Sequence, residues 1–176
     1  MRDIHTSRLW LKKMEQADAG ALYSIWSDPA VTAFMNISAM TDVSQAVEMI
    51  GLLTTLEREN KAVRFTVIDR KSNDIIGSIG FNTLDFDNER AEVGYDISKS
   101  HWGKGFAGEA LAGMMEYGYG QLGLNRIEAK VEPDNNNSIR VLEKLRFTLE
   151  GTLRQYEKIN GKFVDYHVYS KLKADE

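Results

Sequence analysis

Between Ala91 and Leu122 an alternating segment runs into a glycine-rich loop, and the loop runs directly into a helical stripe. Ala91, Val93, Tyr95 and Ile97 share one face of a strand, while Glu92, Gly94 and Asp96 fall on the other. Ala107, Ala110, Leu111, Met114, Gly118 and Leu122 fall on one stripe of a helix. The joint is His101-Trp102-Gly103-Lys104-Gly105-Phe106-Ala107-Gly108-Glu109. Its three glycines exceed what a turn requires, and a backbone poor in side chains lets N–H groups close on a ligand. The helix start adds free donors and a partial positive charge. The segment therefore reads as an anion site for a phosphate or pyrophosphate, with Lys104 as a counter-charge. A tight strand-to-helix turn without a ligand is the plain alternative.

The flanking chain supplies the rest of a mixed fold. A strand is expected over residues 8–12 and a helix over 18–26, stopped by Asp28-Pro29. A second helix spans 42–59, with Val43, Ala46, Val47, Ile50, Leu53 and Leu56 along one side. Strands at 63–67 and 75–81 form a hairpin through the turn residues 71–74, and Gly77 and Gly80 imply a bulge or a close neighbour. After the glycine loop and its helix come a strand at 126–132, a helix at 138–145 and a strand at 147–153. Asn160-Gly161 then turns the chain into a last strand at 163–171. This order predicts an α+β fold with a mixed, mostly antiparallel central sheet, a parallel pair in its second half and about four helices.

The 176 residues suit a single domain, 1–176, and an apolar fraction of 43% provides for a core. Residues 1–5 lack the apolar run of a signal peptide, and no stretch approaches the roughly 20 apolar residues of a membrane helix. The absence of cysteine excludes disulfides, zinc–thiolate sites and a cysteine nucleophile, and the cytoplasm is the default location. A net charge of −4 disfavours a nucleic-acid surface and suits a cationic or amine-bearing substrate. Neither a membrane nor a nucleic acid is expected as partner, and homo-oligomerisation stays open. His5, His101 and His167 form no metal spacing and no triad, so no metal is expected. Met35, Met40, Met114 and Met115 read as core or groove filling.

Gly103, Gly105 and Gly108 also spell the dinucleotide fingerprint G-x-G-x-x-G, with Glu132 near the end of the next strand. An NAD-binding oxidoreductase is therefore a rival reading. Against it, the motif lies behind an antiparallel hairpin, and residues 109–176 are too few for a two-halved Rossmann sheet.

Residues 91–97, the loop 102–107, Asn135-Asn136-Asn137-Ser138 and Val141-Leu142-Glu143-Lys144-Leu145 together resemble the GNAT superfamily of acyl-CoA N-acyltransferases. Within it they resemble most the ribosomal-protein N-terminal acetyltransferase branch. The loop fits the pattern Q/R-x-x-G-x-G/A with Gly105 and Ala107 in the small positions and Trp102 in place of Gln or Arg. The likeness runs from Thr6-Ser7-Arg8-Leu9 through Leu149-Glu150-Gly151 to Tyr169. One departure is Arg146, where the branch usually has Gly, and this should perturb a helix C-cap.

The resemblance implies acetyl-CoA as donor, a primary amine as acceptor (a protein N-terminus or a small molecule) and direct transfer in a ternary complex. It implies that the strand pair 91–97 and 126–132 splays apart around the pantetheine. Loop amides of Gly103, Lys104, Gly105, Phe106, Ala107 and Gly108 would hold the pyrophosphate beside Trp102, and backbone groups near Ile97 would pair with the pantetheine amides. Asn135 would contact the cofactor, a turn residue being its alternative. Ser138 would protonate the departing thiolate, a helix N-cap being its alternative. For the base, Glu157 matches the branch's water-assisted carboxylate and Glu92 matches other GNAT members. Glu157 is preferred. A catalytically silent CoA-binding sensor is the remaining rival. Residues 28–42, with Phe34, Met35, Ile37 and Met40, are expected to roof the acceptor groove.

Overall fold

A computed structural model describes residues 2–175. Met1 and Glu176, the ends of the expected 1–176 domain, lie outside the described residues. The strands are β1 (Ile4–His5), β2 (Leu9–Lys13), β3 (Val63–Asp69), β4 (Asp74–Asp85), β5 (Arg90–Ile97), β6 (Arg126–Val131), β7 (Thr148–Ile159) and β8 (Lys162–Leu172). They form one sheet in the order β1-β2-β3-β4-β5-β6-β8-β7. Each neighbouring pair is antiparallel except β5 and β6. The helices are α1 (Ala19–Trp26), α2 (Pro29–Thr32), α3 (Val43–Arg58), α4 (Phe106–Gly120) and α5 (Asn136–Lys144). The α+β expectation holds, and α2 is the helix that the sequence pattern did not announce.

The parallel pair is short. Its register holds at Arg90↔Arg126, Ala91↔Ile127 and Glu92↔Glu128 and goes no further. β5 continues to Ile97 and β6 to Val131 without pairing, so the sheet opens between them. Backbone groups along that opening are free of ladder hydrogen bonds, and a buried backbone needs partners. A gap of this kind is where an extended ligand can lie.

Two apolar clusters sit on the two faces of the sheet. Leu9, Leu11, Phe65, Val67, Ile79 and Phe81 pack with Leu111 and Met114 of α4. Between Phe65 and Val67, Thr66 points to the opposite face and donates to Asp18 at the start of α1 at 2.8 Å. On that face Leu22, Ile25 and Trp26 pack with Ala46 and Ile50 of α3. The expected α3 stripe is narrower than its periodicity suggested: Ala46 and Ile50 are buried, but Val43 and Val47 are exposed. The close-neighbour reading of the β4 glycines is correct. A Cβ on Gly80 would lie 2.0 Å from the Val63 carbonyl oxygen, and one on Gly77 would lie 2.1 Å from that of Asp96. The alternative reading, a bulge, is met beside Gly77 as well: Val67 and Ile68 of β3 face Gly77 and Ile75, which leaves Ile76 unpaired in that register.

Three local expectations change. Asp28-Pro29 ends α1 but also starts α2: the Asp28 carboxylate accepts from Ala30 N at 2.9 Å, and Pro29 fills a first-turn position whose N–H would be unpaired anyway. α5 begins at Asn136, two residues before Ser138. β7 runs on to Ile159, so Glu157 belongs to a strand. Asp96 lies on the β5 face that its alternation assigns, turned toward Trp26 of the second cluster. Its carboxylate is buried and accepts from Trp26 Nε1 at 3.2 Å, from Arg64 Nη2 at 2.8 Å and from the Ser78 hydroxyl.

Candidate active site

The loop between β5 and α4 takes the shape its glycines permit. Gly103 and Gly105 have φ of 73° and 80°, the left-handed region that side chains disfavour. Gly105 caps α4 with no side-chain acceptor, which leaves the first amides of the helix (Phe106, Ala107, Gly108) unpaired. A Cβ on Gly103 would meet only open space. These groups border a cavity of about 830 Å³ that also takes in Tyr95, Ile97, Lys99, Arg140, Lys144 and Asn135. Lys99, Arg140 and Lys144 line the same cavity as the free amides, and their positive charge suits a polyanion. Lys104 contributes its carbonyl to Arg8 Nη1 at 2.9 Å. Phe106 is a buried core side chain whose ring lies 5.9 Å from that of His101. The Ile97 carbonyl already accepts from Trp102 Nε1 at 2.7 Å, so one lone pair of the expected pantetheine contact is taken.

A second cavity, of about 980 Å³, adjoins the first. The two share Phe34, Met35, Tyr95, Asn135 and Ser138. Its outer wall is apolar, with Phe34, Met35, Ile37, Met49, Leu52 and Leu53. Met40, expected in that roof, is buried among the α1 and α3 residues instead. At the junction, Asn135 is the N-cap of α5, its Oδ1 accepting from Ser138 N at 3.3 Å. The capping role weighed for Ser138 therefore belongs to Asn135, and the Ser138 side chain is free to face the cavities. Opposite it, the Tyr95 hydroxyl is buried without a hydrogen-bond partner among the described residues. Ser138 lies close enough to affect it but outside hydrogen-bonding geometry. Burial pushes the Tyr95 phenol up, so it stays a donor at neutral pH. Such an orphan is costly unless a ligand satisfies it.

Two carboxylates line the second cavity. Glu92 forms an ion pair with Lys130 at 2.9 Å. Burial works against the charge of Lys130, but Glu92 holds its ammonium above the ordinary value. Glu157 instead accepts from the neutral Tyr166 phenol at 2.7 Å. Burial, then the carboxylates of Glu157, Glu132 and Glu92, push that phenol well above its usual range. A bulge brings Glu157 there: Arg154, Gln155 and Tyr156 of β7 face the single residue Asp165 of β8, and Gln155 takes φ of 50°. Asp165 secures the bulge by accepting from Gln155 N at 2.7 Å.

The fold thus places Ser138, Asn135, Glu92 and Glu157 on the wall of one cavity, the first two at its junction with the next, and the glycine loop on the wall of that neighbour. Sequence reasoning missed Tyr95, Tyr166, Lys130, Arg140 and Lys144. Tyr95 had been placed on the correct strand face, but nothing in a linear pattern reveals an unpaired hydroxyl. No group of three or more His, Asp or Glu residues that could hold a metal occurs among the described residues, and no helix there is long and apolar enough to cross a membrane.

A mostly antiparallel sheet that opens at one parallel pair, with a glycine loop beside the opening, is not a doubly wound architecture. Residues 8–148 match the acetyltransferase (GNAT) domain family. The uncharacterized N-acetyltransferase p20 of Bacillus licheniformis is 50% identical over 175 residues, 99% of this chain and 98% of that one. The ribosomal-protein-serine acetyltransferase of Escherichia coli strain K12 is 36% identical over 103 residues, 58% of this chain and 57% of that protein. The microcin C7 self immunity acetyltransferase MccE, solved with acetyl-CoA and AMP, is 26% identical and superposes with a TM-score of 0.86, covering 95% of this chain and 93% of its own. The chain belongs to the GNAT acetyltransferase family. It is an enzyme that transfers an acetyl group to an amine. The NAD-dependent and silent-sensor readings fall: the fingerprint glycines serve a single parallel pair in a sheet of the wrong topology, and the relatives are acetyltransferases.

Proposed function

We propose that residues 1–176 act as one cytoplasmic N-acetyltransferase domain with acetyl-CoA as donor and a primary amine as acceptor. The reading requires no metal, membrane or nucleic acid. The observation that carries it is the meeting of two cavities at Tyr95 and Ser138, one rimmed by free amides and cations, the other by carboxylates. The amides of Gly103, Lys104, Gly105, Phe106, Ala107 and Gly108 suit a pyrophosphate, and the gap between β5 and β6 suits the extended pantetheine. Acetyl-CoA supplies the thioester carbon and a thiolate leaving group.

Glu157 accepts a proton from the acceptor ammonium, directly or through water. Glu92 is the weaker candidate, because its charge already neutralises Lys130. On the acceptor side Glu157, whose carboxylate accepts from Tyr166 rather than from a cation, is the anionic group that draws the ammonium in. Tyr95 offers its unpaired hydroxyl to the acyl group, and Ser138 passes a proton to the departing thiolate. The transfer is direct, within a ternary complex, and without cysteine no acetyl-cysteine forms. The apolar wall from Phe34 to Leu53 leaves room for an acceptor larger than the amine itself, and a protein N-terminus falls within that class. The test is thiol release from acetyl-CoA across a panel of amines, including free-N-terminal peptides, polyamines and amino acids. Release with at least one acceptor, and acetylated product by mass, is expected. Hydrolysis without acetylated amine would overturn the reading.

A further inference from the structure

The glycine loop contains a charge that opposes its task. Glu109, in the first turn of α4, lines the same cavity as the free amides. A carboxylate there repels the phosphates that the amides attract, unless something neutralises it. That something comes from the other end of the chain. The Glu109 Oε1 accepts from Thr6 Oγ1 at 2.6 Å and from Arg8 N at 2.7 Å, and its Oε2 accepts from Arg8 Nε at 2.6 Å. Partial burial pushes this carboxyl up, but the Thr6 and Arg8 hydrogen bonds outweigh it and hold Glu109 below the ordinary range, hence ionised.

Arg8 does more than pair with Glu109. Its Nη1 donates to the Lys104 carbonyl at 2.9 Å, and its guanidinium lies over the Phe106 ring, 4.5 Å from the centroid. Its Nη2 would stand 3.4 Å from a Cβ on Gly105. In a planar trans peptide the carbonyl and the following N–H point in opposite directions. Holding the Lys104 carbonyl toward Arg8 therefore turns the Gly105 N–H away from it. Arg8 is itself anchored: its carbonyl accepts from Arg70 N at 2.9 Å, and Thr6 and Leu9 are joined by Thr6 N to Leu9 O at 2.9 Å.

We propose that Arg8 is a positioning residue for the donor site: it neutralises Glu109 and fixes the Lys104–Gly105 peptide plane of the glycine loop so that the Gly105 amide faces the donor's phosphates. This rests on the reading that the loop holds a pyrophosphate. The test compares two donors, acetyl-CoA and S-acetylpantetheine, which keeps the thioester but carries no phosphate. R8A should raise KM for acetyl-CoA about tenfold with kcat within a few-fold, and leave KM for S-acetylpantetheine unchanged. Adding E109Q to R8A should recover part of the loss, because the unneutralised charge is gone. R8K, which keeps the charge but lacks the fork, should fall between R8A and wild type, and it carries the same donor comparison if R8A does not fold. Equal effects on both donors, or no effect on acetyl-CoA, would overturn the role of Arg8. A wild type with no preference for acetyl-CoA over S-acetylpantetheine would instead bring down the phosphate-loop reading, and the proposal with it.

Discussion

Ser138 and Glu157 do different work, so their variants should fail differently. Because Asn135 rather than Ser138 caps α5, S138A should change unfolding free energy by no more than about 0.5 kcal/mol. If the hydroxyl protonates the thiolate, turnover should still fall by about 10²- to 10⁴-fold with near-normal donor affinity. N135A is the complementary variant, expected to cost about 1 kcal/mol of stability through the lost cap. Glu157→Gln should flatten the acidic limb of the pH–rate profile, and Glu92→Gln should affect turnover less, its partner being Lys130. A large defect in E92Q with E157Q intact would move the base to Glu92. Ser138 and both glutamates were readable as residue types set in a family pattern. Tyr95 was not, because an unsatisfied hydroxyl exists only once the surrounding chain has packed.

At the scale of elements, the ends of α5 carry the clearest departure from the family pattern. Arg146 takes φ of 59° just past the helix, with Arg146 N donating to Glu143 O at 2.9 Å and Phe147 N to Leu142 O at 3.0 Å. This is the closure that glycine makes without strain. Arg146→Gly should therefore raise stability by about 1 kcal/mol, seen as an upward shift in the thermal midpoint. A fall in that midpoint would show that the arginine side chain contributes more than its backbone conformation costs. The edge of the sheet supplies a pH test. Glu150 of β7 accepts from Arg126 Nη1 and Nη2 of β6 at 2.7 and 2.6 Å and from Ser170 Oγ of β8 at 2.6 Å. The Arg126 hydrogen bonds, with that of Ser170, lower its pKa from 4.5 to about 2. A depressed carboxylate pKa gives stability that is present above about pH 4.5 and lost as the pH falls towards about 2. Since Glu150 is largely exposed, the contribution is small. E150Q should lose less stability than wild type between those two pH values in urea titrations. An identical slope would mean that the pair holds nothing together.

For the whole molecule, the proposed donor site joins regions far apart in the chain: Arg8 near the N-terminus, the loop after β5, and α5. A ligand that bridges them stabilises the folded state by mass action, about 2.7 kcal/mol at a hundredfold excess over its dissociation constant. Acetyl-CoA should accordingly raise the melting temperature and NAD should not. The reverse result would contradict the assignment of the glycine loop to an acyl donor. The effect of acetyl-CoA should shrink as salt rises, because Lys99, Arg140 and Lys144 act partly at a distance.

By itself the sequence determined the class of fold, the place of the glycine loop and the family, because these depend on local periodicity, on glycines that permit positive φ, and on motif order. The strand faces of β5, the hairpin turn at Asn160-Gly161 and the close approaches at Gly77 and Gly80 were legible for the same reason. Only the tertiary structure decided that Asn135 and not Ser138 is the cap, that Asp96 is buried beneath Arg64, and that a β7 bulge brings Glu157 beside Tyr166. It alone decided that Arg8 closes on Glu109. Contacts between residues far apart in the chain leave no periodic trace in it. They exist only when packing brings the elements together, and packing also decides which polar groups find partners.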